Sequence, residues 1–182
     1  MRDSIVNGKM KYALVVFGIV SFFIQQNIYA QANNYEKHSR MNDSTMMKRQ
    51  EMIHSNSHLV MPFDMNKVTH YFVKTSNGGV LMIKAKDAKD SSQISLIRSH
   101  LKKEQALFSN VDFRDPKTLH GMNMPGLKVL SESKDKFSVR YEDLADGARL
   151  TFASKDATVV KAIHMWFDAQ LRDHGSDAKS KE

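Results

Sequence analysis

The chain contains no cysteine. That absence excludes a disulfide framework, a lipoprotein attachment thiol, and any thiolate nucleophile or metal ligand. A spanning helix needs roughly 20 apolar residues, whereas the apolar stretch from Tyr12 to Ile24 has 13, which argues against a stable membrane anchor. No Gly-x-Ser-x-Gly elbow, His-Glu-x-x-His helix or phosphate-binding glycine loop occurs, so the sequence offers no recognised catalytic signature. Basic residues neither line one helix face nor interleave with aromatics along a strand, which removes the usual footprint for nucleic acid.

What is present begins with a secretory pattern. Arg2, Lys9 and Lys11 precede the apolar stretch, and Ala30-Gln31-Ala32 closes it with small residues, the form of a cleavable signal peptide. Residues 1–32 are therefore expected to be removed, and the protein to be exported to the periplasm or the medium. The formal charge of +7 then falls to +5, because the signal carries three cations against Asp3. About 150 residues remain, enough for one domain with one core.

Residues 33–66 are polar, rich in methionine and histidine, and without a sustained period. They are expected to form a flexible or partly helical leader, with Met46 to Ile53 as its one helical stretch and Pro62 near its end. From residue 67 to 175 the pattern sharpens and occurs twice. Val68 to Lys74 and Val80 to Ala85 flank an Asn77-Gly78-Gly79 turn, and a helix follows, with Ile94, Ile97, Leu101 and Phe108 on one face after the capping pair Asp90 and Gln93. Phe137, Val139 and Tyr141 alternate up to Asp146-Gly147, and Ala148, Leu150 and Phe152 alternate after it. Asp156 then caps a helix whose apolar face holds Val159, Val160, Ile163, Trp166, Phe167 and Leu171.

Laying Gly78 on Gly147 also brings Lys86-Asp87-Ala88 onto Lys155-Asp156-Ala157. The expected fold is α+β: two ββα units joined in one four-stranded antiparallel sheet, with two main helices on one face. Residues 176–182 are expected to be a disordered tail. Between the units, Ser109 to Asp135 is a long connection. Asp115-Pro116 is expected to start a turn, and Pro125 to open a short helix through Leu130.

The sharpest chemical pattern lies in that connection. In an extended segment His120, Met122 and Met124 point the same way, and imidazole with thioethers favours copper, Cu(I) above all. The folded region also holds His70, His100, His164 and His174, and convergence of some of them on the connection would complete a metal site. Asp168 stands one turn after His164, where it could orient the ring. His100 takes the place in the first helix that Trp166 takes in the second when Ile97 is laid on Ile163. The leader adds nine methionines and histidines between His38 and Met65. These features lead to an expectation of an exported, soluble binding protein for a soft metal ion, copper first. The competing expectation is an envelope interaction module pairing through exposed edge strands, with Thr69 and Tyr71 as test positions.

Several strings belong together as a set: His70-Tyr71-Phe72-Val73-Lys74-Thr75, Ile97-Arg98-Ser99-His100-Leu101, and His120 to Leu127. Tyr141 to Gly147 and Trp166 to Gly175 complete it. The set, spanning Val68 to Gly175, resembles a family of small exported bacterial proteins that commonly carry the label aspartate carbamoyltransferase. The resemblance implies export and the same domain limits, and the label implies that enzyme activity. The residues oppose the activity. A carbamoyltransferase cradles its phosphate with a Ser-Thr-Arg-Thr type loop and spreads its substrates over two α/β domains, and this chain has neither that loop nor the length.

Overall fold

The computed structural model describes residues 43–181. The expected signal peptide, residues 1–32, and residues 33–42 of the expected leader lie outside the described residues. Ten elements follow in order: α1 (Asp43–Asn56), β1 (Val68–Thr75), β2 (Gly78–Ala85), α2 (Ser91–Ser109), α3 (Arg114–His120), α4 (Leu127–Ser131), β3 (Phe137–Leu144), β4 (Gly147–Ser154), α5 (Ala157–His174) and β5 (Ala178–Lys179). The class is α+β, with α2 and α5 against the sheet.

The sheet order is β3-β4-β2-β1-β5. The first four strands pair antiparallel, as their two hairpins and the β2–β4 junction require. The expected four-stranded antiparallel sheet is corrected to a five-stranded mixed one, because β5 joins β1 in parallel through His70↔Ala178 and Tyr71↔Lys179. This strand comes from the segment expected to be a disordered tail. Two residues are too short to show alternation in a sequence, and here they cover part of an otherwise bare edge.

The doubled pattern corresponds to a local twofold arrangement. Each hairpin turns on two residues, Ser76-Asn77 and Ala145-Asp146, with Thr75↔Gly78 and Leu144↔Gly147 closing them. Gly147 stands 69 positions after Gly78, and at the junction Leu81 pairs with Leu150, its own equivalent at the same offset. The two glycines are needed for one shared reason. A Cβ on Gly78 would collide with the carbonyl oxygen of Phe152, and one on Gly147 with that of Ile83, again equivalent positions. Neither strand could approach its partner this closely with any side chain there.

Both long helices start on aspartate caps. Asp90 accepts from the Gln93 amide and Asp156 from that of Thr158. The Gln93 side chain does not return the bond; its Oε1 accepts from Asp64 N and ties the segment before β1 to α2. The apolar faces of α2 and α5 meet the inward strand residues, and Phe108, Phe113, Phe152, Trp166 and Phe167 lie at the centre with at most 2 % exposure. Edge-to-face contacts from Trp166 to Phe108, Phe113 and Phe152, with ring centres 5.5–5.6 Å apart, fix their geometry.

Over its described part the leader is helical for longer than the expected Met46 to Ile53 stretch. Asp43–Asn56 is helical, although it buries only Ile53. Its attachment to α5 and the turn that follows is polar: Arg49 bonds Asp173, Gln50 donates to the Arg172 carbonyl, and His54 pairs with Asp177. A helix held this way has no apolar stripe to reveal it. In the connection, Asp115-Pro116 forms no turn but lies in the first turn of α3, where proline's missing N–H is harmless. The next helix begins at Leu127, after Gly126 with φ 83°, and a Cβ at Gly126 would strike the Ala162 carbonyl of α5.

Candidate functional site

Setting the cap of α2 on that of α5 aligns His100 with Trp166, Glu104 with Gln170 and Phe108 with His174. All six are buried, because each falls on the inward stripe of its helix. Strand alternation sends Val68, His70 and Phe72 to the same side, and α3 delivers Asp115, Leu119 and His120 from above. All of these but Val68 line a cavity of about 50 Å³ between the two helices and the β1–β2 hairpin, which Val60 and Met61 also line. A water needs on the order of 10–15 Å³, so the space suits about three or four waters or one small ligand.

Three imidazoles crowd one end. The rings of His70 and His174 lie 4.9 Å apart between centres and within 20° of parallel, and His120 lies 5.1 Å from His174. The Nδ1 of His120 is 2.8 Å from Asp173 Oδ2. An ionised carboxylate only accepts, so that nitrogen carries the proton. Arg49 grips the same carboxylate through Nε and Nη2, each at 2.6 Å, and Nη2 also donates to the His120 carbonyl at 2.9 Å. Burial works against ionising Asp173, yet hydrogen bonds from His120 and Arg49 hold its carboxyl below the usual aspartate range. Desolvation takes His70 down to about 3, helped by the His100 and His120 rings, and carries His174 well below an ordinary histidine. Both rings are therefore neutral.

The other end is carboxylic. Burial, together with a hydrogen bond and the charge of Asp115, pushes Glu104 up to about 8, so it is protonated at neutral pH. Lys103 holds Asp115 ionised from outside at 2.6 Å. His100, brought down to about 4 by burial and the Lys103 charge, lines the cavity beside them with its ring against the edge of Phe63. The polar groups are thus set among apolar side chains such as Phe72, Leu81 and Ile83, and carry little charge beyond that of Asp115.

Seven buried side-chain polar atoms among the described residues lack a hydrogen-bond partner, and six of them belong to cavity residues: both nitrogens of His70, Nδ1 of His174, Nε1 of Trp166, Oε1 of Gln170 and Oε1 of Glu104. Each such group costs about 1–3 kcal/mol of unrecovered desolvation. Folded proteins keep them few; here six sit on residues that line one space.

The expected His120-x-Met122-x-Met124 donor set is not assembled. The segment is not extended: α3 ends at His120, Gly121 takes φ 94°, and the chain turns. Met122 is 74 % exposed and Met124 is buried in the apolar core, so the three side chains diverge. His164 does not line the cavity; its Nε2 meets the carbonyls of Thr75 and Gly78, both at 2.9 Å, and staples the first hairpin to α5. Asp168, expected to orient that ring, takes an ion pair with Lys74 at 2.6 Å. Of the seven candidate ligands, His70, His100, His120 and His174 do come together. As the side chains stand, no group of three or more histidines, aspartates or glutamates among the described residues is arranged to hold a metal ion. Sequence reasoning missed Arg49, Glu104, Gln170 and Asp173. The His100–Trp166 equivalence, carried one turn further, would have found Glu104 and Gln170.

No family model, curated protein or solved structure matches this chain.

Proposed function

We propose that the chain is an exported binding protein whose ligand is a small polar species held in the cavity between α2 and α5. The observation that carries this is that six unpaired buried polar atoms belong to residues lining one space of about 50 Å³. A structure that needed only stability would fill that space with apolar groups. The walls supply selectivity by size through Phe72, Leu81 and Ile83, and recognition through neutral donors and acceptors. The basic start, short apolar stretch and Ala30-Gln31-Ala32 support the export half of the reading.

The test is native mass spectrometry of the full chain produced with its own leader and recovered from the exported fraction. A discrete bound mass is expected, with the polypeptide cut near residue 32 and the adduct lost in His70→Leu. An uncut polypeptide retained in the cytoplasm would overturn export, and a bare polypeptide mass before and after incubation with envelope extract would overturn binding. The interaction-module reading is weaker on this surface. The outward residues of edge strand β3 include Arg140 and Glu142, and charged edges discourage strand addition. The carbamoyltransferase reading finds no second α/β domain among the described residues.

A further inference from the structure

We infer that β3 is a contact surface for a second copy of the same chain, the two β3 strands pairing antiparallel about a twofold axis at Tyr141 so that the two sheets run on as one. The inference is independent of what the cavity holds.

Strand β3 is the edge of the sheet, and no strand lies beyond it among the described residues. The hairpin fixes which of its backbone groups are spare. A two-residue turn closes on a hydrogen-bonded pair, here Leu144↔Gly147, and alternation then gives the bonds to β4 to Ser138, Arg140, Glu142 and Leu144. The amides and carbonyls of Phe137, Val139, Tyr141 and Asp143 therefore point to the open side. In keeping with this, the Gln105 side chain of α2 reaches the Val139 carbonyl at 3.1 Å. That oxygen keeps a second lone pair for an incoming strand.

Side-chain alternation puts Ser138, Arg140 and Glu142 on the sheet face turned away from the helices, all three exposed. With the axis at Tyr141, Arg140 stands opposite Glu142 of the second copy, and Glu142 opposite Arg140 of the second copy. These are non-hydrogen-bonded pairs, with Cα atoms about 4.5 Å apart, where facing side chains come closest. Arg149 of β4 already meets Glu142 at 2.8 Å. A row of alternating charge, Arg149, Glu142 and then Arg140 of the second copy, would thus cross the junction on each side of the axis. On the helix side the two half-buried Tyr141 rings would meet at the axis, an aromatic pair of the kind that strengthens strand pairing.

Charge also selects the register. An axis at residue 140 sets Arg140 against Arg140, and an axis at residue 142 sets Glu142 against Glu142, each of them destabilising. The charges that turn away a foreign strand are therefore matched by the strand's own copy. The opposite edge differs, because β5 already covers part of β1.

The experiment is sedimentation velocity of the full chain over a concentration series. A reversible dimer is expected. Arg140→Glu and Glu142→Arg, both at exposed positions, should each weaken it by at least about 10-fold, since each sets like charges opposite one another. An equal mixture of the two variants should dimerise again, because every facing pair across the axis then has opposite signs. The double variant carrying both changes should do so for the same reason. Rescue of this kind separates a charge effect from misfolding. A protein that stays monomeric throughout the series would overturn the inference, as would a dimer indifferent to both single changes or a loss that neither the mixture nor the double variant restores.

Discussion

The two halves of the domain share one plan and differ where it counts. At the local twofold axis they match: Leu81 faces Leu150, the glycines Gly78 and Gly147 meet equivalent carbonyls, and both helices start on aspartate. Between the helices they diverge. His70 of β1 corresponds to Val139 of β3, His100 to Trp166, Glu104 to Gln170, and Phe108 to His174. The repeat supplies a scaffold that buries apolar faces, and the cavity exists because equivalent positions were filled differently. Identity between halves marks stability; difference marks the candidate chemistry.

The first way to break this comparison is at the axis. Leu150→Ala removes a fully buried side chain from the junction and should destabilise the fold by about 2–5 kcal/mol in urea unfolding, because neither half can cover its core alone. A second substitution makes the halves more alike. Glu104→Gln gives the first helix the residue of the second. Burial pushes the Glu104 carboxyl up to about 8 from its ordinary 4.5, so the native state holds a proton that the unfolded state releases. Wild-type stability should therefore fall as pH rises between those values, at up to about 1.4 kcal/mol per pH unit. The variant should lack this slope; parallel pH profiles for the two proteins would contradict the protonated carboxyl.

A third change asks whether the second half needs help from outside the repeat. Arg49→Ala strips the cation from Asp173 and should cost about 2 kcal/mol at neutral pH. Because the Asp173 pKa is depressed, that contribution exists above the ordinary aspartate range and fades as acid protonates the group. Wild type and variant should thus converge in acid, at a pH below the ordinary aspartate range. Fourth, His70→Leu restores an apolar residue like its counterpart Val139. It removes two unpaired buried nitrogens and should raise stability by about 1 kcal/mol while abolishing ligand binding. A destabilised variant would show that His70 serves the core. The smallest effect belongs to Met122→Ala, within about 0.5 kcal/mol and with binding intact, since its side chain faces water.

Strands, turns, caps and the apolar faces of α2 and α5 were legible because they rest on local periodicity and turn chemistry. Leu150, Phe152 and Trp166 declare themselves by spacing. Elements held by polar or very short contacts were faint or hidden: α1, with one buried residue, showed only as the Met46 to Ile53 stretch, and β5 has two residues in all. The site was half visible. Histidines drew attention as a residue type, but the reading placed their meeting point at Met122 and Met124, because the segment after His120 was taken as extended. A glycine at φ 94° and a turn reversed that. Glu104 and Gln170 carry no local signature. They become notable only when α2 is laid on α5.

The bond between Arg49 and Asp173 spans 124 residues of chain. Closing so wide a loop is entropically expensive, and α1 brings little apolar surface with which to offset it. A protease that nicked the stretch between α1 and β1 would leave the sheet and its two helices standing. It would also release the grip on Asp173 and with it the set of the His120 ring. Integrity of the chain would thus be registered at the cavity, making its chemistry a report on whether the molecule is whole.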